Sequence, residues 1–393
     1  MGRDLSASAV FTGLLVAFVG FASSFAVVLE GLTAVGASAA QAASGLLALS
    51  VAMGAAGIVL SLKYRMPLSV AWSTPGAALL VATGDVGGFG VAVGAFLLCG
   101  VLLTVAGLWK PLGRAAAAIP APLANAMLAG ILLGLCLAPF RAVAEMPALG
   151  LPILGAWVVG GMVHRLWAVP AALAAFVAVV ALGVEMPPGA LGALGGDAVP
   201  GAVWVWPEFT VAGALGIAVP LFIVTMASQN IPGIAVMQSN GYPVTPGPWF
   251  GVTGGFSLLA APFGGHAVNM AAITAAMCAG QDAHPDPARR YWAAIIAGAG
   301  YIALGLTSGA VTGFVALAPG VLVQAVAGLA LIPAFSGAAV AAFERTDTRD
   351  AAAVTFLASA SGLSLYGISG AFWGLLAGGA VMGLRRLRPA PPP

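Results

Sequence analysis

The sequence predicts an all-α integral membrane protein of about fourteen transmembrane helices in a 7+7 inverted repeat, with half-helices and short strands in the third and tenth spans. Three observations carry this expectation. Of 393 residues, 61% are hydrophobic and only 7% charged, with a mean hydropathy of +1.05, too little polar surface for a globule solvated by water. The apolar stretches run on for about 18 to 22 residues, the length of a helix across a bilayer, whereas a membrane β-strand would alternate apolar and polar positions. The basic residues fall between these stretches in a pattern that obeys the preference of Lys and Arg for cytoplasmic loops.

Proline, glycine and charge divide the first half into spans at 10–29, 39–61, 68–84, 87–108, 119–138, 150–166 and 167–184. A wetter stretch rich in Gly and Pro, Glu185 to Phe209, precedes a second set at 210–230, 246–262, 264–280, 290–310, 319–342, 350–365 and 367–384. The two repeats are therefore 1–205 and 206–393. With both termini cytoplasmic, the inner segments hold Arg3, Lys63, Arg65, Lys110, Arg114, Arg165, Arg289, Arg290, Arg345, Arg349, Arg385, Arg386 and Arg388. Of the 14 Lys and Arg, Arg141 alone falls outside, and one span more or fewer would scramble the pattern. The outer segments carry Glu30, Asp85, Glu145, Glu185, Asp197 and Glu208, read as solvated.

Superposing the halves aligns Phe21-Ala22-Ser23 with Met226-Ala227-Ser228, and the stretch from Asn125 to Gly130 with that from Val323 to Gly328. Seven is odd, so the second copy enters the membrane from the opposite side; chance similarity of Ala/Gly-rich helices is the competing explanation. Spans three and ten are interrupted at corresponding places. Leu68 to Ser73 is short and β-prone before Thr74-Pro75-Gly76 opens a helix, with Pro75 suited to the first turn. Ala261 to His266 similarly precedes a helical stretch expected to begin at Val268. A half-helix that begins inside the bilayer presents unpaired N–H groups and a positive dipole end, and two such ends make a carboxylate site.

Ionisable groups inside a span are costly and tend to mark ion routes, so His266 is the candidate proton carrier, with a neutral imidazole bonded to backbone as the alternative. Gln229 and Asn230 form an uncharged polar cluster that could hydrogen-bond a carboxylate, or simply join helices. Ser73, Thr74 and Asn269 flank the half-helix starts as ligands or caps, while Asn125 and Gln324 suit interhelical bonding. Phe25, Phe256 and Phe263 could stack on an aromatic ring or merely pack. Glu344, Arg345, Asp347, Arg349 and Asp350 make a solvated loop, His164 and His284 lie in loops, and Cys99, Cys136 and Cys278 suit small core positions. No phosphate-binding loop, nucleophile elbow or metal-ligand spacing is present, so neither an enzyme nor a cofactor or metal site is expected. A net charge of +2 with scattered basic residues implies no nucleic-acid partner.

Three stretches resemble one family. TMASQNIPGIAVMQSNGY from Thr225 to Tyr242, PFGGHAVNMAAIT from Pro262 to Thr274, and AWSTPGAA from Ala71 to Ala78 are similar to signature segments of the BenE benzoate transporters. The resemblance extends over nearly the whole chain. It implies a benzoate:proton symporter of the bacterial inner membrane, related to uracil, xanthine and sulfate-type carriers. In that group, spans 1–4 and 8–11 form a core domain and spans 5–7 and 12–14 a gate domain, often dimeric. The tenth-span position that holds a substrate-binding glutamate in uracil-type carriers falls on His266, and the polar position of the eighth span falls near Gln229. Lacking both acids, the sequence disfavours a nucleobase, and an amide or imidazolium would accept a carboxylate that an embedded acid repels. The expected site is thus Ser73, Thr74, Gln229, Asn230, His266, Asn269 and Phe25, with His266 exchanging the proton. Another small organic anion, a nucleobase, or channel-like anion permeation are the alternatives.

Overall fold

The computed structural model describes residues 6–109, 111, 119–164, 167–185, 199–366 and 368–386. Arg3, Lys110, Arg114, Arg165, Asp197 and Arg388, which enter the charge pattern, lie outside them. In the first half, span one is α1 (Ala7–Ala22) with α2 (Phe25–Ala34), followed by α3 (Ala39–Tyr64). Span three is β1 (Val70–Trp72) with α4 (Thr74–Thr83), and α5 (Phe89–Leu108), α6 (Ala121–Cys136), a short α7 (Ala138–Glu145), α8 (Pro147–Val163) and α9 (Ala168–Gly183) complete the repeat. The second half opens with α10 (Val211–Ser239) and α11 (Pro246–Ala260), then β2 (Val268–Met270) with α12 (Ile273–Ala279). It closes with α13 (Tyr291–Gly305), α14 (Ser308–Leu317), α15 (Gly320–Phe343), α16 (Arg349–Ala360), the small hairpin β3 (Ser364–Leu365) and β4 (Ile368–Ser369), and α17 (Gly370–Arg386).

Six helices among the described residues, counting α1 with α2 and α6 with α7 as single spans, are long and apolar enough to cross a bilayer alone, and α13 with α14, bent by 54°, makes a seventh. The remaining spans are shorter or broken. Four of the strongest packing pairs respect the repeat: α3 lies on α13 as α11 lies on α5, and α8 on α9 as α16 on α17. The pairs α6–α15 and β1–β2 are each their own counterparts under exchange of halves. At the α3–α13 crossing the two backbones touch through Gly54 and Gly298, where a methyl on either would strike the carbonyl of the other. Small residues allow such close approach between membrane helices.

Four expectations are corrected. Span one is not continuous from 10 to 29: it breaks at Ser23 and Ser24, whose hydroxyls both donate to the Gly20 carbonyl at 3.3 Å and compete with the helix ladder. The tenth-span helix does not begin at Val268, because Val268–Met270 is a strand and the helix starts at Ile273. The segments following spans five and eleven hold the extra helices α7 and α14. Glu30 is not a solvated end: it sits in the middle of α2, half-buried, where Gln324 Nε2 on α15 donates to its Oε1 at 2.8 Å. Other minor expectations hold. Arg345 and Asp347 pair at 2.7 Å in an exposed loop, and the three cysteine thiols are buried and free.

Candidate functional site

The site is built where the interrupted spans meet. In hydrocarbon every backbone polar group must find a partner inside the protein, and the two extended segments satisfy each other. β1 and β2 pair antiparallel, Val70 with Met270, Ala71 with Asn269 and Trp72 with Val268. The ladder continues outward through Ser73 N–H to Ala267 O (2.9 Å) and Ala271 N–H to Ser69 O (3.0 Å).

Side chains then tie the four spans that surround this ladder. Trp72 Nε1 donates to Ser24 Oγ at the break in span one (2.8 Å). Ser73 and Thr225 hydroxyls lie 2.8 Å apart, as do those of Ser69 and Thr274, linking spans three and eight and spans three and ten. Asn230 Oδ1 accepts the Met270 N–H (2.9 Å), holding β2 against α10. The Asn269 amide, in the orientation that satisfies both its ends, accepts from Ser73 N–H and donates to Met270 O, each at 3.0 Å. These bonds are buried, where leaving a partner unmade costs more than making the bond returns.

α10 departs from α-helical form twice on its way past the site, at Ala214–Ala218 and Met226–Asn230, both π-turns. Each lies just ahead of a proline, Pro220 or Pro232, which cannot donate back along the helix. The Gly216 carbonyl, four residues before Pro220, is instead met by Ser369 Oγ at 3.0 Å. The second π-turn, a feature frequent at functional sites, carries Gln229 and Asn230.

A cavity of about 100 Å³ opens among these elements, walled by Gly20, Ser23, Ser24 and Trp72, by Thr74 at the start of α4, by Gln229, and by Ala271 to Thr274 at the start of α12. No charged side chain lines it. Ser73 caps α4 by accepting the Gly76 N–H at 3.2 Å, and Pro75 has no donor, so the Thr74 N–H and hydroxyl are the donors α4 leaves toward the cavity. Among the described residues the Gln229 side chain makes no hydrogen bond. An uncharged concavity with uncommitted donors at a helix start suits an anion, which gains both hydrogen bonds and the dipole.

Of the residues picked from the sequence, Thr74 and Gln229 line the cavity, while Ser73, Asn230 and Asn269 stand behind it as the bonds that shape it. His266 is fully buried in the extended segment ahead of β2, seven residues before α12. Its Nδ1 accepts the Ala267 N–H at 2.7 Å, its ring meets Phe96 edge-on, and Nε2 has no partner; it is not part of the cavity wall. Phe25 lines a second, apolar cavity of about 390 Å³ with Phe18, Phe21, Phe176 and Phe314. Phe21 separates the two, stacked on Phe25 (5.7 Å) and tilted against Trp72 (5.4 Å). Ser23, Ser24 and Trp72 are wall residues that sequence reasoning missed. The repeat alignment held the clue, since matching Ser23 to Ser228 also sets Ser24 opposite Gln229.

Comparison with known proteins agrees with this architecture. The family described as benzoate membrane transport protein, BenE, matches residues 3–384. The inner membrane protein YdcO of Escherichia coli is 41% identical over 379 residues, covering 94% of each chain. The benzoate membrane transport protein of Acinetobacter baylyi is 30% identical over 376 residues, covering 96% of this chain and 94% of its own. Among solved structures, the transmembrane domain of the cyanobacterial bicarbonate transporter BicA aligns with a TM-score of 0.54 at 16% identity, over 98% of this chain and 96% of that one. SLC26A9 aligns at 0.60 and 12% identity, over 96% of this chain and 65% of that one. At such low identity these two speak for the fold alone, that of the 7+7 membrane carriers with core and gate domains. The chain belongs to the BenE family of benzoate membrane transport proteins.

Proposed function

We propose that this chain carries benzoate, or a similar small aromatic carboxylate, across the bacterial inner membrane together with protons, by alternating access. The observation that carries the proposal is the cavity where spans one, three, eight and ten meet, with Thr74 at the α4 start and the uncommitted Gln229 amide as neutral donors. A monoanion fits such a wall, whereas a cation finds no carboxylate there. An engineered cavity that takes up benzene measures about 150 Å³, so the polar cavity of about 100 Å³ does not enclose a whole ring. The carboxylate occupies the polar cavity, and displacement of Phe21 opens the neighbouring apolar one to the ring.

In this proposal spans 1–4 and 8–11 move as a core against a gate of spans 5–7 and 12–14, both termini face the cytoplasm, and homodimers form through the gate. Uptake of labelled benzoate into proteoliposomes decides the matter. An inward proton gradient is expected to drive uphill accumulation that an ionophore collapsing the gradient abolishes. Accumulation indifferent to the gradient refutes symport, and competition by sulfate or uracil but not by aromatic acids refutes the substrate class.

A further inference from the structure

We infer that Glu30, joined to Gln324 across the boundary between the two moving units, is the group that binds the coupled proton. The inference rests on the symport proposed above and gives it a residue. Among the described residues Glu30 is the acid that lies in the interior of a membrane helix. Glu145 and Asp350 stand at helix ends, and the others are in connecting segments. Glu30 is half-buried, and Gln324 Nε2 donates to its Oε1 at 2.8 Å. α2 packs on α4, whose start lines the anion cavity, and on α15, which belongs to the proposed gate. One hydrogen bond to a carboxylate therefore spans the interface that must slide.

The charges around it are sparse. α1, α4 and α15 have no Asp, Glu, Lys, Arg or His, and α3 has Lys63 alone, beside Tyr64 at the end far from α2. Beyond α4, Asp85 directs its carboxylate to the Gly87 and Gly88 N–H groups. Among the described residues no cation pairs with Glu30. It lies six residues beyond Ser24, about 9 Å along a helix, close enough in low-dielectric surroundings for its charge to oppose an arriving anion. An ionised acid moving at membrane depth is costly as well. Protonation removes both obstacles: the carboxylate takes one proton from water, becomes a neutral acid, and the Gln324 bond loses its charge-assisted strength. One anion and one proton then travel together, and the proton leaves to water on the other side as benzoate does. His266 suits this role less, since its Nδ1 is occupied by the Ala267 N–H and its ring lines neither of the two cavities described above.

The test is E30Q in proteoliposomes, measured beside the unaltered protein for gradient-driven uptake and for counterflow of preloaded benzoate. E30Q is expected to keep at least a third of the counterflow but to lose tenfold or more of the gradient-driven accumulation. Equal gradient-driven accumulation in both overturns the assignment and leaves symport standing. An unaltered protein that ignores the gradient overturns symport and this inference with it. If E30Q gives no counterflow, Q324L decides. With the carboxylate kept and its donor gone, the pH dependence of uptake is expected to move, since the charge-assisted bond that Gln324 gives the carboxylate is lost, and an unmoved pH profile overturns the inference.

Discussion

Gln229 and Asn230 are neighbours with different employment. Asn230 is fully buried with both ends of its amide engaged, on Met270 N–H and on Met226 Sδ, whereas Gln229 faces the cavity with no partner among the described residues. Replacing Gln229 with Leu is expected to raise the half-saturating benzoate concentration about 10- to 100-fold, the worth of one hydrogen bond to a charged group, with little change in thermal stability. Asn230→Ala is expected to act on the fold, orphaning the Met270 N–H at about 1–3 kcal/mol and lowering the melting temperature measured in detergent. The sequence identified this polar pair but not its division of labour, because that depends on which residue the π-turn directs inward. Glu30 departs from the expected solvated end for a similar reason. It follows an apolar stretch of the length expected for a span, and only the break at Ser23 and Ser24 carries the helix on to Ala34 and the acid to its middle. His266 stood out as an ionisable group within a span, yet its place is decided by neighbours from α5 that are distant in the chain.

At the scale of elements, spans two, four and nine are found within a few residues of their expected limits, since continuous apolar runs fix helix length. Both interruptions lie where helix breakers and β-prone residues announced them. The second half-helix starts later than the sequence predicts, because Val268-Asn269-Met270 is adjacent to a good helix former, Ala271-Ala272, and nothing local discloses that a strand 198 residues earlier pairs with it. Partners of that kind override local propensity. Packing through glycine has a consequence of its own. Gly298→Val at the α3–α13 crossing drives a branched side chain into the Gly54 carbonyl and Ile58, and since overpacking costs about 1–3 kcal/mol or more, this substitution is expected to lower the yield of monodisperse protein severalfold in size-exclusion chromatography. The same change at Gly379, which has open space around it, is the control expected to behave normally.

For the molecule as a whole, the two-fold relation gives meaning to a weak internal similarity. An antiparallel strand pair can lie on an in-plane two-fold axis, and conjugate helix pairs then recur on either side of it, as α3–α13 and α11–α5 do. Those pairs were out of reach of the sequence, where the halves share few identities. The axis also sets the mechanical problem, because the cavity is shaped by spans one, three, eight and ten while α2 is held to α15 by the Glu30–Gln324 bond. If transport requires these to part, bridging them must stop it. Cysteines at both positions, Glu30→Cys with Gln324→Cys, provide the handle, and the natural cysteines are buried away from reagents. Counterflow is the right assay, since it needs the core to move but not a driving proton. The double variant is expected to exchange benzoate until a short bifunctional thiol reagent is added and then to lose at least about 90% of that exchange, while either single variant treated alike keeps most of its own. Exchange that persists after quantitative cross-linking would mean that α2 and α15 travel together, and the moving boundary would have to be drawn elsewhere.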